Sequence, residues 1–272
     1  MGMSLFAQLQ ALSTLKEDST IVKSRKQLNK IVEFFKQRED YLDLVETMAE
    51  CVRNLETKTL LDCDSFMVQD DFSIMELPEE LQHDSLGFCN GNNVVFSGRY
   101  VYPVKDVKGD VMGFCGYDKF SSVKYLDSKN FGYQAKSYSC YGMEKLPEYY
   151  DSNEPVYFVE GIVCCLCIRQ AGMQALAWLG SSISPYVTEI MRRFGTRAVA
   201  ICDSDEAGVH TRKYIKRNLP LCRVLQSSVS KDVDDSRQVD PEFMNELQRM
   251  RNPFYRSTML RYLLWHLLLE SY

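Results

Sequence analysis

Apolar and polar positions along this 272-residue chain follow three successive rhythms. Leu5, Leu9, Leu12 and Leu15 recur at three- and four-residue spacing, and Leu28, Ile31, Val32 and Phe35 fall on one face of a second segment, so the chain is predicted helical to about Leu55. Asp62 to Glu80 is acidic and broken by Pro78, which predicts a connector with a short helical turn. From Asn93 to Phe114 the rhythm becomes alternation: Val94-Val95-Phe96, then Arg99 to Val104, a turn at Lys108-Gly109, and Val111 to Phe114. That pattern predicts a β-hairpin. Val156 to Leu225 then alternates short apolar runs with helical stretches. Strands are expected at Val156–Val159, Ala175–Leu179, Ala198–Cys202 and Cys222–Leu225. Helices are expected at Ile162–Ala171, at Pro185–Phe194 with Ser184 as N-cap, and at Ala207–Leu219 before Pro220. Beyond Asp240 the pattern is helical again, with Pro241 near a start and Leu260, Leu263, Leu264, Leu267 and Leu268 along a last apolar segment.

Repeated strand-helix units predict a parallel sheet flanked by helices and joined by right-handed crossovers. The fold class is therefore α/β. The expected organisation is a helical region over residues 1–80, a small β-containing basic subdomain over 81–150, the parallel sheet over 151–238 and a helical C-terminal segment over 239–272. A hydrophobic content of 45% supports sizeable cores. The apolar run Tyr262–Leu269 contains His266 and is shorter than the roughly 20 residues that cross a bilayer, so no membrane partner is expected. Met1 to Leu15 has neither an early basic region nor a continuous apolar stretch, and a cytoplasmic location is expected.

Ten cysteines without framework spacing are expected to be reduced. Cys164 and Cys167 form a CxxC with no second pair or His at zinc spacing, and no zinc is expected. The net charge of −5 argues against indiscriminate nucleic-acid binding but leaves room for a local basic groove. Lys23, Arg25, Lys26 and Lys30 are either a solvated helix face or a contact to a nucleic-acid backbone. Lys124 and Lys136, set among aromatic residues, suit a groove that tracks a backbone.

Three acidic clusters follow expected strands: Glu160, then Asp203 and Asp205, then Asp232, Asp234 and Asp235. In a parallel sheet all three reach the carboxyl edge. Converging carboxylates repel one another unless cations neutralise them, and Mg²⁺ is the hard, oxygen-seeking partner for such a set. Taken singly, each acid can equally be a loop or helix N-terminal residue stabilised by the helix dipole.

Val159-Glu160-Gly161, Asp203-Ser204-Asp205 followed by Ala207-Gly208, and Lys231-Asp232-Val233-Asp234 resemble the Toprim domain. That domain is shared by bacterial-type primases, type IA and type II topoisomerases and certain nucleases. Upstream, Tyr102-Pro103-Val104-Lys105-Asp106 with Gly109, Gly113-Phe114-Cys115-Gly116, Lys124-Tyr125-Leu126-Asp127-Ser128 and Tyr141-Gly142 resemble the DnaG-like primase catalytic core, and Ser85-Leu86-Gly87-Phe88 is a weaker echo of it. The resemblance covers Ser85 to Asp235.

It implies DNA-templated synthesis of short RNA primers by nucleotidyl transfer during replication. It assigns catalysis to Glu160, Asp203 and Asp205, and two divalent ions, Mg²⁺ or Mn²⁺, to these residues with Asp232 and Asp234. Lys124, Lys136 and Arg99 would bind triphosphate or template. The implied partners are single-stranded DNA, NTPs, and a replicative helicase or a separate zinc-domain protein. The chain departs from the family in three places: Met1 to Glu80 lacks Cys/His spacing for a zinc module, Tyr117 stands where an arginine is common, and Cys164 stands where an aspartate is common. A Toprim nuclease and a non-catalytic primase-like protein that binds DNA or a helicase remain the alternatives.

Overall fold

The computed structural model describes residues 19–52, 55–130, 133–134, 140–226, 233, 236 and 241–249. Helix α1 (Ser19–Lys36) buries Leu28, Ile31, Val32 and Phe35, the stripe that its spacing predicts. It is followed by α2 (Tyr41–Cys51) and α3 (Thr57–Leu61). The acidic stretch expected to be a connector instead supplies a strand, β1 (Phe66–Val68), whose Phe66 pairs with Val101. The expected helical turn lies just after it at Ile74–Glu76, closed by a reciprocal Ser73 and Glu76 capping box.

A two-residue pair, β2 (Cys89–Asn90) and β3 (Asn93–Val94), leads into the expected hairpin of β4 (Arg99–Lys105) and β5 (Val111–Tyr117). Strand β6 (Tyr125–Asp127) completes an antiparallel sheet in the order β1-β4-β5-β6, and β7 (Lys129–Asn130) pairs with β8 (Tyr133–Gln134). The hairpin turn is held by Asp106, which is buried and accepts the N–H groups of Lys108 and Asp110 at 2.8 and 3.0 Å. Burial pushes its carboxyl above the usual range, against the pull of those two N–H groups and of Arg25. Arg25 pairs with Asp106 at 3.3 Å, so this member of the basic cluster is neither a solvated face nor a nucleic-acid contact. Lys30 pairs with Glu80 at 3.4 Å in an exposed position.

Residue 80 does not separate two cores. Helix α1 packs across β5, and Phe35 stacks on Phe66 at 4.4 Å, with Phe88, Phe96 and Phe114 in the same cluster.

The second sheet follows α4 (Leu146–Asp151). It is built from β9 (Val156–Val159), β10 (Gln174–Ala177), β11 (Ala198–Cys202) and β12 (Arg223–Gln226), with α5 (Ile162–Gln170), α6 (Pro185–Phe194) and α7 (Glu206–Asn218) as connections. The four strands pair in parallel, in the order β10-β9-β11-β12, and Tyr141 adds an isolated antiparallel bridge to Ala177 at the β10 edge. The expected strands and helices are present, with ends shifted by about two residues at most. Ser184 caps α6 as expected, accepting the Val187 N–H at 3.2 Å.

Helices cover both faces of this sheet. On one, α5 is buried from Ile162 to Ile168 and shares a core with Val45, Tyr102 and Tyr117 of the N-terminal half. On the other lie Trp178, Val187, Ile190 and Met191. Helix α8 (Pro241–Arg249) buries Phe243, Met244 and Leu247, and Tyr157 donates its hydroxyl hydrogen to the Leu247 carbonyl at 2.6 Å. The segments around Leu5–Leu15 and Leu260–Leu268 lie outside the described residues. Among the described residues no helix is long and apolar enough to cross a membrane, and none of the ten cysteines is in a disulfide.

Candidate active site at the carboxyl edge of the parallel sheet

The order of the parallel strands creates a switch point. From β9 the chain moves through α5 to β10 on one side, then returns past β9 to form β11 on the other. The connections leaving β9 and β11 diverge, and open α/β sheets bind ligands in the crevice this opens at the strand ends. Glu160 is the first residue beyond β9 and Asp203 the first beyond β11. Ala198 pairs with Val156 and Ala200 with Phe158; carried two residues further, this register sets Cys202 level with Glu160. The thiol of Cys202 is pushed up to about 12, mainly by burial, and the negative charges of Asp203 and Glu160 both act on it in the same direction. Glu160, Asp203 and Asp205 are all half-buried. The backbone of Glu160 is fixed from just beyond β10, through the Leu179 N–H donating to its carbonyl at 3.1 Å.

Asp203 to Gly208 form a tight strand-to-helix turn. Asp205 is the N-cap of α7, its Oδ1 accepting the Gly208 N–H at 3.0 Å. A Cβ on Gly208 would overlap the carbonyl oxygen of Asp203 and approach its carbonyl carbon to 2.7 Å. The first turn of α7 thus rests directly on the Asp203 peptide, and only glycine allows it. The helix-capping reading of the acids therefore holds for Asp205, and it is compatible with a ligand on the same carboxylate. Asp232, Asp234 and Asp235 lie outside the described residues, while Val233 between them is buried in the core that contains Val159 and Ile162. Among the described residues alone, no three His, Cys, Asp or Glu side chains form a metal-holding group.

Of the expected basic residues, Lys124 is exposed and Lys136 lies outside the described residues. Arg99 donates from Nη1 to the carbonyls of Val123 and Lys124 at 3.0 and 3.5 Å and from Nη2 to Ser121 Oγ at 3.1 Å. It holds the loop between β5 and β6. The two side chains that depart from the family pattern lie at the seam between the sheets. Tyr117 is buried and packs on Tyr125 with ring centroids 4.9 Å apart, and Cys164 of α5 is buried in the same core. The Tyr125 hydroxyl reaches to 3.5 Å from where a Gly161 Cβ would stand.

Arg169 is a structural residue that the sequence reading missed. It donates to the carbonyls of Ala175 at 3.0 Å and Gly142 at 3.3 Å, and its guanidinium faces the Tyr141 ring at 5.7 Å. Gly142, at φ 90°, leaves the room it occupies. The signal available was a lone arginine in the otherwise apolar α5, together with the Tyr141-Gly142 pair. A cleft of about 500 Å³ lined by Lys145, Tyr149, Arg169 and Gln174 opens at the amino end of the sheet, opposite the acidic edge.

No protein-family model matches the chain. It is similar to the DNA primase of Listeria monocytogenes, with 25% identity over 177 residues covering 62% of this chain and 28% of that protein. The DNA primase of Aquifex aeolicus is 30% identical over 132 residues, covering 47% of this chain and 26% of the relative. The chain thus spans about a quarter of the length of these curated relatives. Among solved structures, a DnaG catalytic core superposes with a TM-score of 0.67 at 18% identity, covering 88% of this chain and 84% of that one. A DnaG primase catalytic domain bound to single-stranded DNA gives 0.67 at 17% identity, covering 84% and 83%. The Aquifex aeolicus primase structure, with zinc-binding and RNA polymerase domains, gives 0.67 at 20% identity, covering 88% and 62%. By sequence the chain is similar to bacterial DNA primases, and its fold is that of DnaG catalytic cores.

Proposed function

We propose that this chain synthesises short RNA primers on a single-stranded DNA template by metal-dependent nucleotidyl transfer. One observation carries the reading: Glu160 and the Asp203–Asp205 turn stand at the switch point of the parallel sheet in a fold that matches DnaG catalytic cores. Carboxylates on half-buried residues suit a hard cation, Mg²⁺ or Mn²⁺, whose shell is completed by water and phosphate oxygens. Asp203 and Asp205, joined by Asp232, Asp234 and Glu160, would hold two such ions. When bound, the pair would stabilise the attacking and leaving oxygens of an in-line displacement at the α-phosphate. Glu160 either adds a ligand or accepts the proton of the attacking 3′-hydroxyl, for which it must come within hydrogen-bond reach. Lys124 and Lys136 would contact triphosphate or template phosphates. Arg99 would orient the loop that carries Lys124.

The substrates would be NTPs and single-stranded DNA in the cytoplasm of a cell or a phage host. A replicative helicase or a separate zinc-domain protein would deliver the template. The test is incubation of the purified protein with single-stranded DNA, labelled NTPs and Mg²⁺ or Mn²⁺. Short labelled RNA that disappears in Asp203→Asn is the expected result. Metal-dependent degradation of nucleic acid without NTPs would replace this reading with a Toprim nuclease. Metal-independent DNA binding without synthesis would favour a non-catalytic relative, for which buried Tyr117 and Cys164 are the support.

A further inference from the structure

We propose that Phe120, at the tip of the loop between β5 and β6, is a stacking platform for one unpaired base of a single strand, with Lys124 contacting a neighbouring phosphate. The inference rests on the reading of the chain as a protein that handles single-stranded template. Phe120 is 86% exposed, the most exposed large hydrophobic side chain among the described residues. A single exposed apolar side chain is ordinary on a protein surface, and Val123 of this loop and Tyr125 just after it are also exposed. Phe120 is unusual because the loop beneath it is held from both ends and from the side. The Asp118 N–H donates to the Lys124 carbonyl at 2.9 Å, and Asp118 Oδ1 accepts the Phe120 N–H at 2.8 Å. Ser121 Oγ accepts the Val123 N–H at 3.3 Å and an Arg99 N–H at 3.1 Å, while Arg99 Nη1 holds the Val123 carbonyl. The ring is therefore presented on an ordered tip and is not packed against the rest of the protein.

Its surroundings identify the occupant. Lys119 Nζ donates to the Cys51 carbonyl at 3.4 Å and stands 4.8 Å from the ring centroid, and the Lys124 side chain is exposed at the far end of the loop. The carboxylate of Asp118, the one acid in the loop, accepts the Phe120 N–H. A protein partner would favour a contiguous apolar patch. Val123 and Tyr125 are also exposed near Phe120 in the chain, but lysines interrupt this apolar surface on both sides of the ring. Aromatic rings interleaved with lysines match a strand of alternating flat bases and phosphates, which sequence-tolerant single-strand binders grip by stacking and charge together. The loop also opens from the seam next to the acidic edge. Its flanking residues Tyr117 and Tyr125 pair across β5 and β6, and Tyr125 reaches Gly161, the neighbour of Glu160. A strand stacked on Phe120 would be held beside that edge.

The experiment measures binding of a fluorescent single-stranded DNA oligonucleotide to the full chain by anisotropy, at several salt concentrations. Phe120→Ala is expected to weaken Kd about five- to 150-fold, with the salt dependence unchanged. Phe120→Trp is expected to retain affinity, with its added emission quenched on binding. On an abasic oligonucleotide, wild type and Phe120→Ala should bind alike. Lys124→Ala should instead flatten the log K against log salt slope by about 0.7. Wild type that binds while Phe120→Ala binds equally well overturns the platform alone. A loss that is the same on the abasic strand also overturns it. Wild type that binds no single-stranded DNA overturns both the platform and the primer-synthesis reading. Thermal melts of the variants matching wild type show that the fold is retained, as expected for so exposed a side chain.

Discussion

Gly208 lies against the peptide of Asp203 so closely that an added Cβ would stand 2.7 Å from the Asp203 carbonyl carbon and 3.0 Å from its nitrogen. The obstructing atoms are backbone and cannot rotate away. Gly208→Ala should therefore lift the first turn of α7 from the strand end and displace Asp203 and Asp205 together. Overpacking of this kind costs about 1–3 kcal/mol, to be read from denaturant unfolding. The proposed primer synthesis should fall by at least the factor seen with a single acid-to-amide change. A Gly208→Ala protein that unfolds and synthesises like wild type would show that the turn relaxes without moving the acids.

Asp205 has two separable tasks, capping α7 and the proposed cation binding. Asparagine caps a helix about as well as aspartate, whereas alanine loses about 0.5–2 kcal/mol. Asp205→Asn should keep the melting behaviour of wild type and lose the proposed metal-dependent synthesis. Asp205→Ala should lose both. Synthesis at the wild-type rate by Asp205→Asn would reduce this residue to a helix cap.

The legible parts of the chain are those whose physical cause is local. Strands such as Val156–Val159 and Ala198–Cys202 are buried on both faces, so they stand in the sequence as continuous apolar runs that stop at an acid. The carboxyl-edge position of Glu160, Asp203 and Asp205 follows from parallel topology alone. Strand β1 was not legible, because its three residues are too few to show alternation and become a strand through pairing with β4. Charges that turn inward were also illegible: Arg25 meets Asp106 across 81 residues of sequence, and composition cannot distinguish that arginine from a solvated one. Gly208 had a sequence signal in its place after the acidic pair, but the cause, a helix resting on a peptide, appears only in three dimensions.

Arg99 illustrates the same limit, and its role can be tested. Its guanidinium reaches Val123, Lys124 and Ser121, so Arg99→Ala should loosen the loop without deleting a phosphate contact. Amide hydrogen exchange over residues 119–124 should accelerate, and single-stranded DNA affinity should fall with an unchanged salt slope. Arg99→Lys should not restore order, because one ammonium cannot reproduce the planar fork. A slope reduced by about 0.7 in Arg99→Ala would instead make Arg99 the phosphate ligand that its sequence context suggested.

Asp64 ties α1 to β4, accepting from Lys36 Nζ at 2.8 Å and from Lys105 Nζ, and it does so at φ 54°, in the left-handed region. Burial alone would raise its carboxyl, but the hydrogen bonds and charges of Lys105 and Lys36 outweigh that and hold it below the ordinary value. The folded protein therefore takes up this proton less readily than the unfolded chain. The stabilisation is fully present above the unfolded carboxyl pKa of about 3.9 and is lost as pH falls through the lower folded value. Asparagine tolerates the left-handed backbone, so Asp64→Asn tests the charge with little change in conformation. Wild type should exceed Asp64→Asn in stability by a constant margin from about pH 5 to 7, and the gap should close as the solution is acidified below about pH 4. A gap that widens on acidification would mean that Asp64 is held above its ordinary value and that the two lysines do not control it.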